Sequence, residues 1–466
     1  MSDLNAALTG SIKTQRPGPL SLHRVDPAMT TYEIRDPVHQ TIIITEPERL
    51  VVDHPLVQRL RHIRQLGFVH LVYPGAVHDR FQHSLGVMHL AGDRFRHLIE
   101  ARPAALAGFG ADDLDYAYRL LRFAGLLHDA GHPPYSHTTE PWLPAVEAVR
   151  LPDAWYREGH RPTGRQATHE DFSLAVVHAL AQTGVLPQDQ AQDIAAVLCP
   201  VVRRSPRLAA LGSLVGVLRA LVSGELDADR ADYLLRDSHF AGVSYGIYDL
   251  NRLRACETVL AGPDGPELGL DAHGVHALEG LLLARYQMFH QVYFHKTPPA
   301  FEYYLAQAIA EEEIPFRLRG LDDLADLRDD SLTGALHAAR AKNLPWSKRI
   351  LDREPAKLVL RERLGMDQQE NFLAQHLVDE LKSAGCHVFS RHSCQAFTRL
   401  AGAGAVADGT RLLCERRVLG RPIIEPIARH SDLLAVFNRP IDLRHTYVLR
   451  ADAARAVSVM ERMDVI

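Results

Sequence analysis

The sequence lacks what several protein classes require. Its five cysteines (Cys199, Cys256, Cys386, Cys394 and Cys414) are odd in number, scattered and never spaced as CxxC. That excludes a disulfide framework and a CxxC zinc site. Apolar runs such as Ile42 to Ile44 and Gly280 to Ala284 stop far short of the roughly 20 residues that a membrane-spanning helix needs. The start, MSDLNAALTG, has no basic cluster followed by an apolar stretch, so no secretory signal is read there. Neither charge sign dominates: 52 Lys and Arg against 57 Asp and Glu leave −5. No global basic surface therefore advertises nucleic acid, and only a local patch such as Arg416 to Arg421 offers one. These absences lead to the expectation of a reduced, cytoplasmic protein with no membrane contact.

What is present is ordinary in bulk and unusual in detail. The 466 residues allow about three domain-sized units at roughly 150 residues each. The 26 histidines are half as many as all Lys and Arg together, and imidazole is both a common metal ligand and the acid/base group that titrates near neutrality. Residues 1–30 carry Gly, Pro, Ser and Thr without a period and read as a flexible tail. TYEIRDPVHQTIIIT (31–45) has a turn-like DPVH before a β-branched run, which predicts a hairpin. A helical pattern starts near Pro47 and runs to about residue 310, including His276 to His295; two Gly/Pro-rich stretches, Leu151 to Thr168 and Ala261 to Leu270, read as surface loops within it. Beyond it, LDDLADLRDDSLTGALHAARA reads as one charged amphipathic helix, while RLLCERRVLGRPIIEPIA and RHTYVLRAD alternate like strands. The expected architecture is mostly α: a helical core over residues 31–310 and a small α+β lobe over 311–466.

Four segments stand out: RFQHSLGV (Arg80 to Val87), LLHDAGHPPYSH (Leu126 to His137), THEDFS (Thr168 to Ser173) and ELDADRADYLLRD (Glu225 to Asp237). Tyr118 to His128 is apolar on nearly all sides and reads as a helix buried in a bundle. It ends in His128-Asp129, followed by Gly131, Pro133 and Pro134, so two metal-type ligands sit at the rim of the core where the helix cannot continue. Asp227, Asp229 and Asp232 admit two readings. In one they are acids favoured at a helix N-terminus, with Asp232 paired to Arg236 at i+4. In the other, because Leu226, Tyr233 and Leu234 mark the helix as partly buried, they are carboxylates that a bound cation neutralises. Taken singly, a histidine such as His83 or one His-Asp pair is more often structural than functional.

The order of these motifs resembles the HD-domain phosphohydrolase superfamily and, more narrowly, its deoxynucleoside triphosphate (dNTP) triphosphohydrolases, the dGTPase-like and SAM/HD-domain enzymes. The resemblance covers about residues 31–310 and includes YFHK, Tyr293 to Lys296. Carried over residue by residue, it implies that His83, His128, Asp129 and Asp229 bind a divalent transition metal (Mn, Fe, Co, Ni or Zn), with Mg on the triphosphate. It implies that His132 and His137 stand beside the phosphates, that Glu140 and His169 form an acid/base pair, and that Arg80, Arg285 and Lys296 supply cations. Arg230 stands where the family has a lysine, and Phe289 where the vertebrate enzyme has a histidine. Gln65, Leu66, Tyr233, Asp237 and Tyr293 are implied as a floor under the deoxyribose. The expected reaction releases a deoxynucleoside and inorganic triphosphate from a dNTP, in a homo-oligomer. Two other readings stay open: a phosphohydrolase or phosphodiesterase for another nucleotide or single-stranded nucleic acid, and a non-catalytic binding module on the same scaffold.

The segment VVDHPLVQRLRHIRQLG carries a regulatory expectation. By the same resemblance, Asp53, Gln58 and Arg61 match residues that read guanine at a dGTP or GTP activator site between subunits, and Val72 and Tyr73 lie where a second regulatory base packs. The plain structural reading is that Asp53 is a helix N-cap and that Gln58 and Arg61 share a solvated helix face.

Overall fold

The computed structural model describes residues 30–465 apart from 102–103, 263–264, 364–367, 397, 399, 401–411 and 438–439. The expected N-terminal tail lies, but for residue 30, outside the described residues. The first element is the predicted hairpin, β1 (Thr31–Asp36) antiparallel to β2 (Gln40–Thr45). Asp36 forms its turn by accepting from the backbone N–H groups of Val38 (2.9 Å) and His39 (2.8 Å). The pleat puts Ile42 and Ile44 into the core and leaves Ile43 exposed.

The body is a helical bundle built on Arg80–Ala101, Ala111–Leu127, His169–Gln182 and Ala228–Ala241. Ala111–Leu127 is buried without a break from Leu120 to Leu127, so it is enclosed by other helices rather than solvated on one face. Its Gly125 lets Arg80–Ala101 approach closely: a Cβ there would lie 3.0 Å from Met88 Cα. Val275–Met288 runs on as a single π-helical turn, Phe289–Tyr293, so the helix predicted over 276–295 changes its winding where the aromatic residues cluster. Among the described residues no helix is long and apolar enough to cross a membrane, and all five cysteines are free thiols.

Three sequence expectations are corrected or refined. Ala261 to Leu270 is not a loop but part of a hairpin, β3 (Glu257–Gly262) with β4 (Gly265–Asp271). Its glycines hid an apolar set in which Val259, Leu260, Leu268 and Leu270 are buried. The charged helix expected over 321–341 is two helices, Leu321–Asp326 and Asp329–Ala341, because Asp329 turns its carboxylate onto a neighbouring loop. Leu151 to Thr168 is irregular, as expected, but is anchored by buried Trp155 and by a bridge from Tyr156 to Val202.

The C-terminal region supplies β5 (Lys357–Arg363), β6 (Val388–Gln395), β7 (Leu413–Val418), β8 (Arg421–Pro426) and β9 (Ile441–Val448). A three-stranded antiparallel sheet has the order β5-β9-β6, and the other sheet has the order β3-β4-β7-β8. The β4–β7 pairing is parallel, so one sheet spans the composition change near residue 310. Tyr303 stacks on Phe389 of β6 with ring centroids 3.8 Å apart, tying the three-stranded sheet to helix Pro298–Ala310.

Candidate metal centre and active site

The site is built from ends of helices. Asp79 accepts from Gln82 N (2.9 Å) at the start of Arg80–Ala101 and so places His83 in its first turn. Helix Ala111–Leu127 stops at His128, and the carbonyls of the turn after it find partners. Buried Arg59 donates to Ala130 O (3.0 Å) and His132 O (2.7 Å), while Ser173 Oγ donates to His128 O (2.7 Å) and accepts from Gly131 N (2.9 Å). Tyr135 and Ser136 both have left-handed backbones, φ 56° and 54°, a conformation that non-glycine residues keep only when neighbours enforce it. Asp329 enforces it by accepting from Tyr135 N (2.7 Å) and Arg64 N (3.0 Å). Ser136 Oγ then accepts from Arg80 Nε (2.8 Å).

These turns bring His83, His128, Asp129 and Asp229 together. His83 Nε2 lies 3.0 Å from Asp229 Oδ1 and 3.7 Å from Asp129 Oδ2, and His128 Nε2 lies 3.5 Å from Asp129 Oδ1 and 3.7 Å from Asp229 Oδ1. Both Nε2 atoms are buried without an aligned hydrogen-bond partner. The other nitrogen of each ring is engaged: His83 Nδ1 with Asp232 Oδ2 (2.7 Å) and His128 Nδ1 with Gly125 O (2.8 Å). Protonated Nδ1 atoms leave both Nε2 lone pairs aimed at two carboxylates, an arrangement in which metal-binding histidines are held by their far nitrogens. Burial works against a charged His83, yet the adjacent Asp229 and Asp232 carboxylates outweigh it and push its pKa up to about 10, so a cation bound at Nε2 would take the place of a proton there. Asp229 is held well below the carboxylate range: burial opposes its charge, but His128 and His83 prevail. A group this hungry for positive charge suits a divalent cation, and its N/O donors suit Mn, Fe, Co, Ni or Zn.

Beside it lies a second cluster, His132, His137, Glu140 and His169. His169 Nδ1 is hydrogen-bonded to Glu140 Oε1, and His137 Nδ1 to Glu140 Oε2 (2.9 Å). The His132 and His169 rings stack at 3.8 Å. Burial opposes charge on both His169 and Glu140; their mutual hydrogen bond raises the first, and with that of His137 holds the second well below its usual range. His132, buried beside Arg80 and His169, is pushed well down and stays neutral.

A cavity of about 440 Å³ joins Asp129, Asp229, His132, His137 and His169 to Gln65, Leu66, Arg80, Tyr233, Asp237 and Tyr293. Tyr293 Oη donates to Asp237 Oδ2 (2.6 Å), His78 Nε2 contacts Asp237 Oδ1 (2.7 Å), and Phe289 meets Tyr293 edge-on at 4.9 Å. Three expected residues, Arg230, Arg285 and Lys296, are not among those that line this cavity. Arg230 lines a separate cavity of about 420 Å³ that shares only Asp129, His169 and Asp229 with the first, because its guanidinium is turned back to Gly224 O (2.6 Å). Arg285 is buried with its guanidinium 5.6 Å from the Phe289 ring centre and is not among the residues lining the first cavity.

Asp53 is not a helix N-cap. It ends helix Glu46–Val52 and accepts from Arg49 Nη1 (2.7 Å), while His54 Nδ1 accepts from Leu56 N (3.3 Å) and caps Pro55–Gln58. Arg61 is exposed, donates to Gln58 Oε1 (2.7 Å) and lies over the Phe81 ring at 3.7 Å. Tyr73 donates to Gln291 O (2.7 Å), and its neighbour Val72 is half-buried. Sequence reasoning missed Arg59, Ser136 and Asp329, which shape the turns, and Glu302 and Gln395, which line the first cavity. No local pattern marks them, because their partners lie on other elements.

No protein-family model matches the chain. It is 30% identical over 312 residues to the deoxynucleoside triphosphate triphosphohydrolase SAMHD1 of Gallus gallus, covering 61% of this chain and 46% of that protein. The chain is thus similar to deoxynucleoside triphosphate triphosphohydrolases of the SAMHD1 kind. An uncharacterized protein of Methanocaldococcus jannaschii is 31% identical over 303 residues, covering 65% of this chain and 54% of that one. The chain thus spans about half the length of these curated relatives. A solved phosphohydrolase of Bacteroides thetaiotaomicron shares the fold, with a TM-score of 0.66 at 23% identity over 90% of this chain and all of that one.

Proposed function

We propose that the chain is a metal-dependent dNTP triphosphohydrolase. The observation that carries the reading is the pair of buried, partnerless Nε2 atoms of His83 and His128 facing Asp129 and Asp229, two carboxylates that themselves line a nucleotide-sized cavity. A bound divalent metal would polarise the α-phosphoryl group and acidify a water. Arg80 and the neutral His132 meet phosphate oxygens, and exposed His137 serves the outer phosphates. His169, kept protonated by Glu140, donates its proton to the leaving oxygen. Tyr293, fixed by Asp237, packs under the deoxyribose with Gln65, Leu66 and Tyr233 and refuses a 2′-hydroxyl. Arg230, which lines the other cavity together with Asp129 and Asp229, serves charge balance rather than the sugar side. Asp53, Gln58 and Arg61 bind a guanine nucleotide between subunits of a homo-oligomer, with Val72 and Tyr73 packing on a second base.

The decisive assay offers the metal-loaded protein dNTPs, NTPs, nucleoside monophosphates and oligonucleotides and resolves the products. Deoxynucleoside plus triphosphate from dNTPs supports the reading; release of phosphate, pyrophosphate or nucleotides from the other substrates instead refutes it.

A further inference from the structure

The turn of the N-terminal hairpin reaches the site from outside the four segments that carry its other residues. His39 follows Pro37 and Val38 in this turn, yet its side chain is only 5% exposed, with Nε2 lying 2.6 Å from Asp232 Oδ1. Asp232 is fully buried and holds His83 Nδ1 through its other oxygen, at 2.7 Å. Arg236 completes the set, donating from Nε to Asp232 Oδ2 (2.8 Å) and from Nη2 to Asp232 Oδ1 (2.9 Å). The same arginine donates from Nη1 to Asp36 Oδ2 (2.8 Å), and Asp36 Oδ1 holds the backbone of the turn. The hairpin is thereby attached to this cluster at two points, Asp36 and His39. Room for it comes from Gly86, one turn beyond His83: a Cβ there would lie 1.9 Å from Asp232 Oδ1 and 2.5 Å from Arg236 Nη2.

Asp232 therefore accepts four hydrogen bonds, which fills the acceptor capacity of a carboxylate. The four bonds together fix its direction, and through it the direction of His83. A carboxylate that receives the Nδ1 proton of a ligating histidine fixes the tautomer and strengthens the donor at Nε2. Removing one of the four bonds leaves a buried carboxylate under-satisfied and free to rotate, so the imidazole it aims loses its fixed orientation.

We infer that His39 is a positioning residue of the metal centre: the N-terminal hairpin turn, through His39 and Asp232, sets the orientation of His83 and hence the affinity of the centre for metal. The inference rests on the reading of His83 as a metal ligand. It makes the hairpin part of the site, although His39 lies 44 residues before His83 in the chain.

The test reads metal directly. The full chain and the variants His39→Ala, His39→Gln, Asp232→Asn and, as a control on the exposed face of the hairpin, Glu33→Gln are stripped of metal. Each is titrated with Co²⁺ against a competing chelator, with the visible absorption of the bound Co²⁺ recorded and folding followed by circular dichroism. His39→Ala should weaken Co²⁺ binding about tenfold, and Asp232→Asn by about ten- to a hundredfold, the range seen for residues behind metal ligands, with shifted absorption bands. His39→Gln places an amide N–H where Nε2 stood and should recover most of the affinity, and Glu33→Gln should match the wild type. A folded His39→Ala protein with wild-type affinity and spectrum would overturn the inference while leaving the metal centre intact. So would a His39→Gln protein as weak as His39→Ala. A wild-type chain that binds no Co²⁺ would overturn the metal-centre reading, and the inference with it.

Discussion

Gly131 faces the backbone of His169: a Cβ on Gly131 would lie 2.2 Å from His169 O and 2.3 Å from Ser173 N. The contact sets how closely the turn bearing Asp129 and His132 approaches the helix bearing His169. Gly131→Ala cannot be absorbed by a side-chain rotation, since the clashing atoms are backbone. Its expected effect is a fall in turnover of at least about a hundredfold, the scale of a 1 Å misplacement of reacting groups. The thermal midpoint should fall as well. Steady-state rates and a melting curve check it; wild-type behaviour in both would show that the turn has slack.

Loss of a ligand should remove the metal. Asp229→Ala or His128→Ala is expected to abolish hydrolysis and bound metal together, with the helical circular dichroism spectrum retained. Metal analysis after gel filtration gives the readout. Full turnover in a metal-free Asp229→Ala protein would sink the site assignment.

Proton transfer has its own signature. His169→Ala or Glu140→Ala should lower turnover by about two to four powers of ten with metal content unchanged. Glu140 raises the His169 pKa, so the acid form is present below that raised value and is lost as pH rises through it. Turnover in the wild type should therefore fall on the alkaline side, and in Glu140→Gln the fall should move to lower pH. Superimposable kcat–pH profiles would count against the assignment.

Stability should depend on acid at a place remote from chemistry. Buried Glu48 accepts from Arg122 Nη2 (3.0 Å) and from Thr45 N (2.8 Å). Burial opposes its charge, but Arg122 and Thr45 outweigh it and hold its pKa below the ordinary glutamate value. A carboxylate depressed in the folded state contributes stability above its unfolded pKa and loses it as pH falls through the folded one. Glu48→Gln should lower stability near neutrality by about 3 kcal/mol, as when one partner of a buried pair is lost. It should also flatten the decline below about pH 4.5; melting curves from pH 3 to 7 that run parallel in both proteins would refute this.

The regulatory proposal makes a prediction about assembly. A guanine nucleotide should shift the wild type toward a homotetramer and make its initial rates cooperative, because a ligand held only between subunits favours their association. Asp53→Ala and Arg61→Ala should remove both effects and spare metal binding. Sedimentation and rate curves that are unchanged by dGTP or GTP in the wild type would refute the activator site.

The motif order, the buried Tyr118 to His128 helix and the β1–β2 hairpin were legible in the sequence, because local chemistry sets them: an apolar run bounded by Gly and Pro, a β-branched run after a turn. The carboxylate row was legible as a problem, a charge density that burial makes costly, and its i+4 pair Asp232–Arg236 is present in the fold. The Ala261 to Leu270 stretch was misread because its glycines signal turns, while in the fold β4 pairs with the neighbouring β3 and also with β7, more than 140 residues later. The single helix over 321–341 was misread because Asp329 satisfies Tyr135 and Arg64 and not only its own helix. What tertiary structure alone decided is which nitrogen of each histidine faces the centre. That choice depends on Asp232 for His83 and on Gly125 for His128. A sequence lists the donors and acceptors, but only packing settles which of them meet, since each buried polar group must find its partner wherever the chain happens to bring one.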